Sequence, residues 1–119
     1  MPADVNSDLK SRLDQEIAGH PVVIYMKGTE LFPRCGFSAA AIQALQQAGA
    51  GGHIHSVDVL ADADLRDGIK AYSDWPTIPQ IYVRGEFLGG ADIVLEMHAR
   101  GALREKVEVA LATAGPGTA

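Results

Sequence analysis

The most reactive side chain in this sequence is a single cysteine. Cys35 is the only cysteine among 119 residues, and it lies in the segment Pro33-Arg34-Cys35-Gly36-Phe37-Ser38. An apolar segment precedes it and a helix-forming segment follows, so we expect the thiol at a helix N-terminus, where backbone amides and the helix dipole stabilise a thiolate. An inert, buried cysteine is the alternative, because most lone cysteines pack as small hydrophobic residues. The polar, kinked surroundings favour the reactive thiol.

The position of Ser38 limits the chemistry of that thiol. Dithiol redox enzymes carry a second cysteine at this place in a Cys-x-x-Cys motif and use it to resolve mixed disulfides. A serine cannot do so, and intramolecular dithiol chemistry is therefore excluded. A mixed disulfide with an external thiol and ligation of a soft metal centre both remain open.

Composition restricts the class of protein. Ten Lys and Arg residues stand against fifteen Asp and Glu residues, and the formal charge of −5 disfavours binding to nucleic acid or to an anionic membrane. No apolar run approaches the roughly 20 residues that span a bilayer. One cysteine allows no internal disulfide, which indicates a reducing compartment. The first twenty residues carry acids and no apolar signal stretch, so we expect a cytoplasmic protein.

Hydrophobic periodicity and turn residues predict the elements that must position Cys35. We expect helices at about Ser7 to Gly19, Gly36 to Gln47, Asp62 or Asp64 to just before Pro76, Asp92 to Ala99 and Ala102 to Ala112. We expect strands at Pro21 to Met26, His53 to Val59, Gln80 to Val83 and Glu86 to Leu88, the last two joined as a hairpin by Arg84-Gly85. This order predicts an α/β fold in a single domain of residues 1–114, with residues 115–119 as a disordered tail.

Four motifs along the chain resemble those of the monothiol glutaredoxins of the CGFS type. They are Lys27-Gly28-Thr29, Cys35-Gly36-Phe37-Ser38, Trp75-Pro76-Thr77-Ile78-Pro79-Gln80 and Gly89-Gly90-Ala91-Asp92-Ile93. The resemblance runs from about His20 to Leu111 and implies a thioredoxin-like fold, a four-stranded mixed β-sheet flanked by about five helices. The sequence departs from the family at Glu30, where a proline is usual, and at Ala91, where Ser or Cys is usual.

The resemblance also implies a glutathione site. The implied glutathione-binding residues are Lys27, Arg66, Ile78, Ala91 and Asp92, with Cys35 as the catalytic and metal-ligating residue and a cis peptide bond between Ile78 and Pro79. Two of these assignments have simpler alternatives. Arg66, together with Lys70, could belong to a solvated helix face paired with Asp62, Asp64 or Asp67. Asp92 could be a helix N-cap.

A count of ligands connects the lone thiol with a metal cluster. A [2Fe-2S] cluster usually takes four thiolates, and two chains supply two, so two must come from elsewhere. The resemblance implies that two glutathiones complete a cluster that bridges two protomers through Cys35. It further implies transfer of this cluster to apo iron-sulfur acceptor proteins, in cluster assembly and iron homeostasis, and a BolA-type partner. The alternative is a glutathione-dependent thiol-disulfide oxidoreductase that acts on protein-glutathione mixed disulfides.

Overall fold

A computed structural model describes residues 7–113 of the chain. Its helices are α1 (Ser7–Gly19), α2 (Gly36–Leu45), α3 (Ala63–Ser73), α4 (Ala91–Ala99) and α5 (Ala102–Thr113). Its strands are β1 (Val22–Met26), β2 (Ile54–Asp58), β3 (Gln80–Val83) and β4 (Glu86–Gly89). A π-helical turn (Gln46–Ala50) extends α2, and a 3₁₀ turn (Val59–Ala61) follows β2.

The four strands form one mixed sheet in the order β2-β1-β3-β4. Strand β1 pairs in parallel with β2 and antiparallel with β3, and β3 pairs antiparallel with β4. The strand-helix-strand unit β1-α2-β2 therefore supplies the parallel pair, and the hairpin supplies the antiparallel edge. The predicted thioredoxin-like fold, with a four-stranded mixed sheet and about five helices, is confirmed.

Helices cover both faces of the sheet because the central strand β1 is apolar at every position. Its alternate residues Val22, Ile24 and Met26 pack into one core with α2, α4 and α5, whereas Val23 and Tyr25 pack into a second core with α1 and α3. All five side chains of β1 are fully buried. Successive strand residues point to opposite faces, so an uninterrupted apolar strand needs cover on both sides. This burial fixes the end of β1, from which the chain leads to Cys35.

The hairpin and most helix boundaries match the expectations from sequence. Arg84 and Gly85 both have positive φ, at 54° and 79°, as a two-residue I′ turn requires. The end of α2 and the start of α4 differ. Helix α2 does not run regularly to Gln47 but ends at Leu45 and continues as the π-helical turn, in which Gly49 has φ 103°. The predicted disordered tail lies outside the described residues, and none of the described helices is long and apolar enough to cross a bilayer.

Candidate functional site

Cys35 occupies the N-cap position of α2, as the sequence predicts. Its backbone is extended, with φ −151° and ψ 136°, and its carbonyl accepts the first helical hydrogen bond from the amide of Ala39 at 2.9 Å. The side chain forms no capping hydrogen bond, and the thiol is half-buried. The pKa of the Cys35 thiol is nevertheless lowered, above all by the backbone amide of Ser38, although partial burial opposes the shift. The amide of Phe37 and the charge of Lys27 lower the pKa further.

Ser38 has a structural role beyond the absence of a second thiol. It is fully buried, and its Oγ accepts a hydrogen bond of 3.2 Å from the backbone amide of Lys27. This contact joins the end of β1 to the first turn of α2. The hydroxyl also lowers the pKa of Cys35 slightly, beyond the contribution of its own amide. Ser38 therefore holds the thiol in place and helps to stabilise the thiolate.

Hydrogen bonds fix the loop between β1 and α2. The amide of Gly28 donates to the Asp58 carboxylate at 2.9 Å, and the amide of Arg34 donates to the Lys27 carbonyl at 2.8 Å. Gly28 has φ 91°, and a Cβ atom there would lie 2.5 Å from the Phe32 carbonyl oxygen. The loop therefore requires glycine at this position.

Glu30, which stands where a proline is usual in the family, adds contacts to this loop. The Glu30 amide donates to Ser56 Oγ at 3.4 Å, and the Glu30 carboxylate accepts from Gln46 Nε2 at 3.2 Å. A proline has no N–H group and could not make the first bond. In this chain, hydrogen bonds to β2 and to the end of α2 anchor the segment that the family usually stiffens with proline.

A cleft of about 180 Å³ adjoins the start of α2. Nine residues line it: Phe37, Trp75, Thr77, Ile78, Pro79, Gly90, Ala91, Asp92 and Ile93. Three of the residues assigned from sequence, Ile78, Ala91 and Asp92, thus meet in one depression. Cys35 is not among the lining residues, but Phe37, two residues later, is, and its backbone amide lies close enough to the thiol to lower the pKa of Cys35. The cis peptide bond between Ile78 and Pro79 is confirmed.

Close backbone approach shapes one side of the cleft. A Cβ atom on Gly90 would lie 3.1 Å from Trp75 Nε1 and 3.4 Å from the Pro79 carbonyl oxygen. Trp75 also meets Phe87 edge-on, with ring centroids 5.6 Å apart. These contacts give Trp75 a structural role beside the site, and the absence of a side chain at Gly90 lets the start of α4 approach the indole ring.

Helix α4 begins earlier than expected, and its cap is not Asp92. Gly90 is the N-cap, the helix starts at Ala91, and no side chain caps its first amides. The N-cap alternative for Asp92 is therefore wrong, because this residue already lies inside the first turn. Its carboxylate is exposed at the cleft and forms no hydrogen bond or ion pair with any other residue in the described range.

The basic residues assigned from sequence lie outside the cleft lining. Lys27 is close enough to Cys35 for its charge to lower the pKa of the thiol. Arg66 and Lys70 are half-buried on α3, and within residues 7–113 neither forms an ion pair with Asp62, Asp64 or Asp67. Instead, Asp62 caps α3 and lies 3.9 Å from Arg12. The Nε atom of Arg66 is buried and has no hydrogen-bond partner among the residues that the structure describes.

Sequence reasoning missed two residues at the site. Phe37 was used only as part of a motif, yet its 64% exposed ring lines the cleft. Gln80 was used only as a strand residue and as the end of a motif, yet it is fully buried and donates hydrogen bonds to two carbonyls of the cleft wall. Its position directly after Pro79 was the available signal. Across residues 7–113, no three His, Cys, Asp or Glu side chains are grouped so that they could hold a metal ion.

Comparison with known proteins agrees with this geometry. The glutaredoxin family model matches residues 22–88. A ycf64-like monothiol glutaredoxin of Synechocystis is 50% identical over 109 residues, which cover 92% of this chain and 100% of that protein. The mitochondrial monothiol glutaredoxin S15 of Arabidopsis thaliana is 43% identical over 91% of this chain, which spans 63% of that longer protein.

Solved structures show the same fold. The solution structure of reduced poplar apo GrxS14 has a TM-score of 0.76 at 47% identity and covers 87% of this chain and 94% of its own. A buckwheat glutaredoxin, crystallised as a complex with glutathione, has a TM-score of 0.73 at 19% identity, covers 87% of this chain and 90% of its own, and shares the fold. This chain belongs to the glutaredoxin family and, by its relatives, to the monothiol glutaredoxins.

Proposed function

We propose that this chain binds glutathione beside Cys35 and carries a glutathione-ligated [2Fe-2S] cluster to apo iron-sulfur proteins, in cluster assembly and iron homeostasis. The observation that carries the proposal is the placement of a single thiol of lowered pKa next to an open cleft, with Ser38 in place of a second thiol. A thiolate is the form that ligates iron, and the lowered pKa increases its fraction at neutral pH.

The supply of ligands supports a shared cluster. Within residues 7–113 the chain groups no three metal-ligating side chains, and it has one cysteine. A [2Fe-2S] cluster with about four thiolate ligands would therefore take Cys35 from each of two protomers and one glutathione from each cleft. Two of the four ligands would be diffusible. An acceptor protein with more thiolates could displace them, which makes the cluster transferable.

The cleft offers groups for each part of a small acidic peptide. The uncapped amides at the start of α4 suit a carboxylate, and the exposed Asp92 carboxylate suits an amine. The backbone of Ile78 offers amide groups to an extended peptide, and Ala91 contributes through its backbone. Lys27 and Arg66 lie outside the cleft lining, and we assign the second carboxylate of glutathione to the charges of these two residues. The buckwheat glutaredoxin that was crystallised with glutathione shares the fold of this chain, at 19% identity.

The lowered pKa of Cys35 also favours a second candidate, a glutathione-dependent oxidoreductase. The thiolate would attack the glutathione sulfur of a protein mixed disulfide and release the protein thiolate. A second glutathione thiolate would then attack the Cys35-glutathione disulfide, release oxidised glutathione and restore Cys35. This cycle needs no second cysteine, so Ser38 does not exclude it.

The proposed transfer of a glutathione-ligated cluster is accompanied by proposals for the partners and the compartment. The proposed partners are a second copy of this chain, apo iron-sulfur acceptors and a BolA-type protein that would contribute a ligand in place of one protomer. The proposed compartment is the cytoplasm, where glutathione is abundant. No nucleic acid or membrane is required.

Anaerobic reconstitution with iron, sulfide and glutathione tests the proposal. Visible absorption and circular dichroism, with mass from gel filtration, are recorded for the wild type and for Cys35→Ser. A cluster chromophore on a dimer that requires both glutathione and Cys35 is expected. A colourless monomer that rapidly reduces a glutathionylated peptide, coupled to glutathione reductase, would reject the carrier and establish the oxidoreductase.

A further inference from the structure

Gln80 is a polar side chain buried where the cleft wall joins the sheet. It has no exposed surface, it is the first residue of β3, and it pairs with Tyr25 in the register of β1 and β3. Burial of a carboxamide is unfavourable unless its polar atoms are hydrogen-bonded. The Gln80 Nε2 group meets this requirement, since it donates to the carbonyl of Trp75 at 2.9 Å and to that of Thr77 at 3.2 Å. Its Oε1 atom is buried and has no hydrogen-bond partner among the described residues, so the nitrogen makes the side-chain bonds that hold Gln80 in place.

The two carbonyls belong to the segment that lines the cleft. Trp75, Thr77, Ile78 and Pro79 form one wall, and no strand or helix includes them. A segment outside regular structure has few backbone hydrogen bonds of its own and depends on side chains to fix its path. Gln80 supplies two such bonds from a strand whose position is set by the central sheet.

We propose that Gln80 is a positioning residue for glutathione, because its amide holds the Trp75–Ile78 wall in the shape that receives the peptide. The proposal rests on the proposed function of the cleft. Gln80 does not touch the ligand and does not act on the thiol. Its loss is therefore expected to weaken recognition of glutathione while the reactivity of Cys35 stays unchanged.

Mixed-disulfide equilibria separate these effects. The Cys35 thiolate attacks oxidised glutathione, forms a Cys35-glutathione disulfide and releases one glutathione thiolate. It reacts in the same way with hydroxyethyl disulfide, which has no peptide arms. Because the chain has one cysteine, mass spectrometry counts each adduct directly. Gln80→Met keeps the side-chain length and removes both donors.

We expect Gln80→Met to lower the equilibrium constant for glutathione about fivefold to tenfold, from the loss of two hydrogen bonds, and to leave that for hydroxyethyl disulfide unchanged. Leu103→Ala, in the core on α5, controls for lost stability alone and should change neither constant. If Gln80→Met does not fold, Gln80→Asn keeps an amide that is too short to reach both carbonyls.

The remaining outcomes distinguish a failure of the Gln80 proposal from a failure of the glutathione cleft itself. An unchanged glutathione constant in Gln80→Met, where the wild type prefers glutathione, would overturn the role of Gln80 alone. Equal loss with both disulfides would also overturn it, since the change would then act on the thiol. A wild type that prefers glutathione no more than hydroxyethyl disulfide would overturn the glutathione cleft and the role of Gln80 together.

Discussion

Helices α2 and α4 both begin at the cleft, but their N-termini differ in what caps them. At α2 the chain supplies an anion of its own, the Cys35 thiolate, whose pKa is lowered first by the amide of Ser38. At α4 the cap is Gly90, which has no side chain and therefore supplies no anion, although neither cap residue makes a side-chain capping hydrogen bond. The two ends have the same electrostatic character, because every helix N-terminus carries partial positive charge.

The difference assigns a separate task to each helix start. The N-terminus of α2 stabilises a reactive group that belongs to the protein, and that of α4 is left for a group that arrives with the ligand. Gly90 keeps the N-terminus of α4 open for the ligand, because it adds no capping oxygen. It also leaves room for the Trp75 ring, which lines the same cleft. Variants that alter one helix start at a time can separate the two tasks.

The largest effect is expected from Gly28→Ala, which disturbs the loop that leads to α2. The new Cβ atom would lie 2.6 Å from the Arg34 amide nitrogen and even closer to the Phe32 carbonyl oxygen, at a φ of 91°. We expect a loss of about 2 kcal/mol in the free energy of unfolding, measured by urea denaturation. Gly36→Ala is the control, because open space surrounds its Cβ position, and it should change stability by less than about 0.5 kcal/mol. Equal losses of unfolding free energy in the two variants would contradict the conclusion that the loop requires glycine at position 28.

At the start of α4, Asp92→Asn removes the carboxylate proposed to meet the ligand amine. We expect the equilibrium constant for the Cys35-glutathione disulfide to fall about fivefold, as for loss of one charge-assisted hydrogen bond. Glu96→Gln, one turn further along the same helix and exposed, should leave the constant unchanged. If both variants behave like the wild type, the α4 end does not receive the amine.

A pH profile isolates the contribution of the α2 end to stability. The pKa of Cys35 is lowered in the folded protein, so the folded state binds fewer protons than the unfolded state. The free energy of unfolding should therefore rise with pH from the folded pKa to the ordinary thiol pKa of about 8.5, and fall as pH drops through the folded pKa. Cys35→Ser should lack this rise. Parallel profiles for the two proteins would show that the thiolate is not stabilised.

The smallest effect is expected from Lys27→Met. Its charge contributes less to the lowered pKa of Cys35 than the amides of Ser38 and Phe37 do. The pKa measured from the pH dependence of iodoacetamide alkylation should rise, yet stay below that of an ordinary cysteine. Lys10→Met, which breaks only an exposed pair with Asp14, controls for the change in net charge. A return to an ordinary pKa in Lys27→Met would show that Lys27, and not the helix, activates the thiol.

Local signals in the sequence predicted the elements and the thiol. Three such signals depend on neighbours within a few residues and are found in the structure. They are the apolar run of β1, the Arg84-Gly85 turn, and the cap of α3, for which Asp62 was one of two candidates with Asp64. The role of Gln80 was not predictable in this way. It depends on the position of the Trp75–Pro79 segment relative to the start of β3, and hydrophobic periodicity does not predict the path of such an irregular segment.

The start of α4 was misplaced for a related reason. Asp92 has the side chain of a good N-cap, whereas Gly90 has none, so propensity favours the wrong residue. Close packing against Trp75 and the Pro79 carbonyl favours a small residue at position 90, and α4 starts directly after it. These are tertiary contacts, which local propensity does not record.

Native mass spectrometry of the anaerobically reconstituted protein shows directly whether glutathione is part of the cluster. We expect a species with two chains, one [2Fe-2S] cluster and two glutathiones, which is lost when Cys35 is replaced by Ser. A cluster held by the chain without glutathione would contradict the shared ligand set, because the cleft beside the thiol would then supply no ligand.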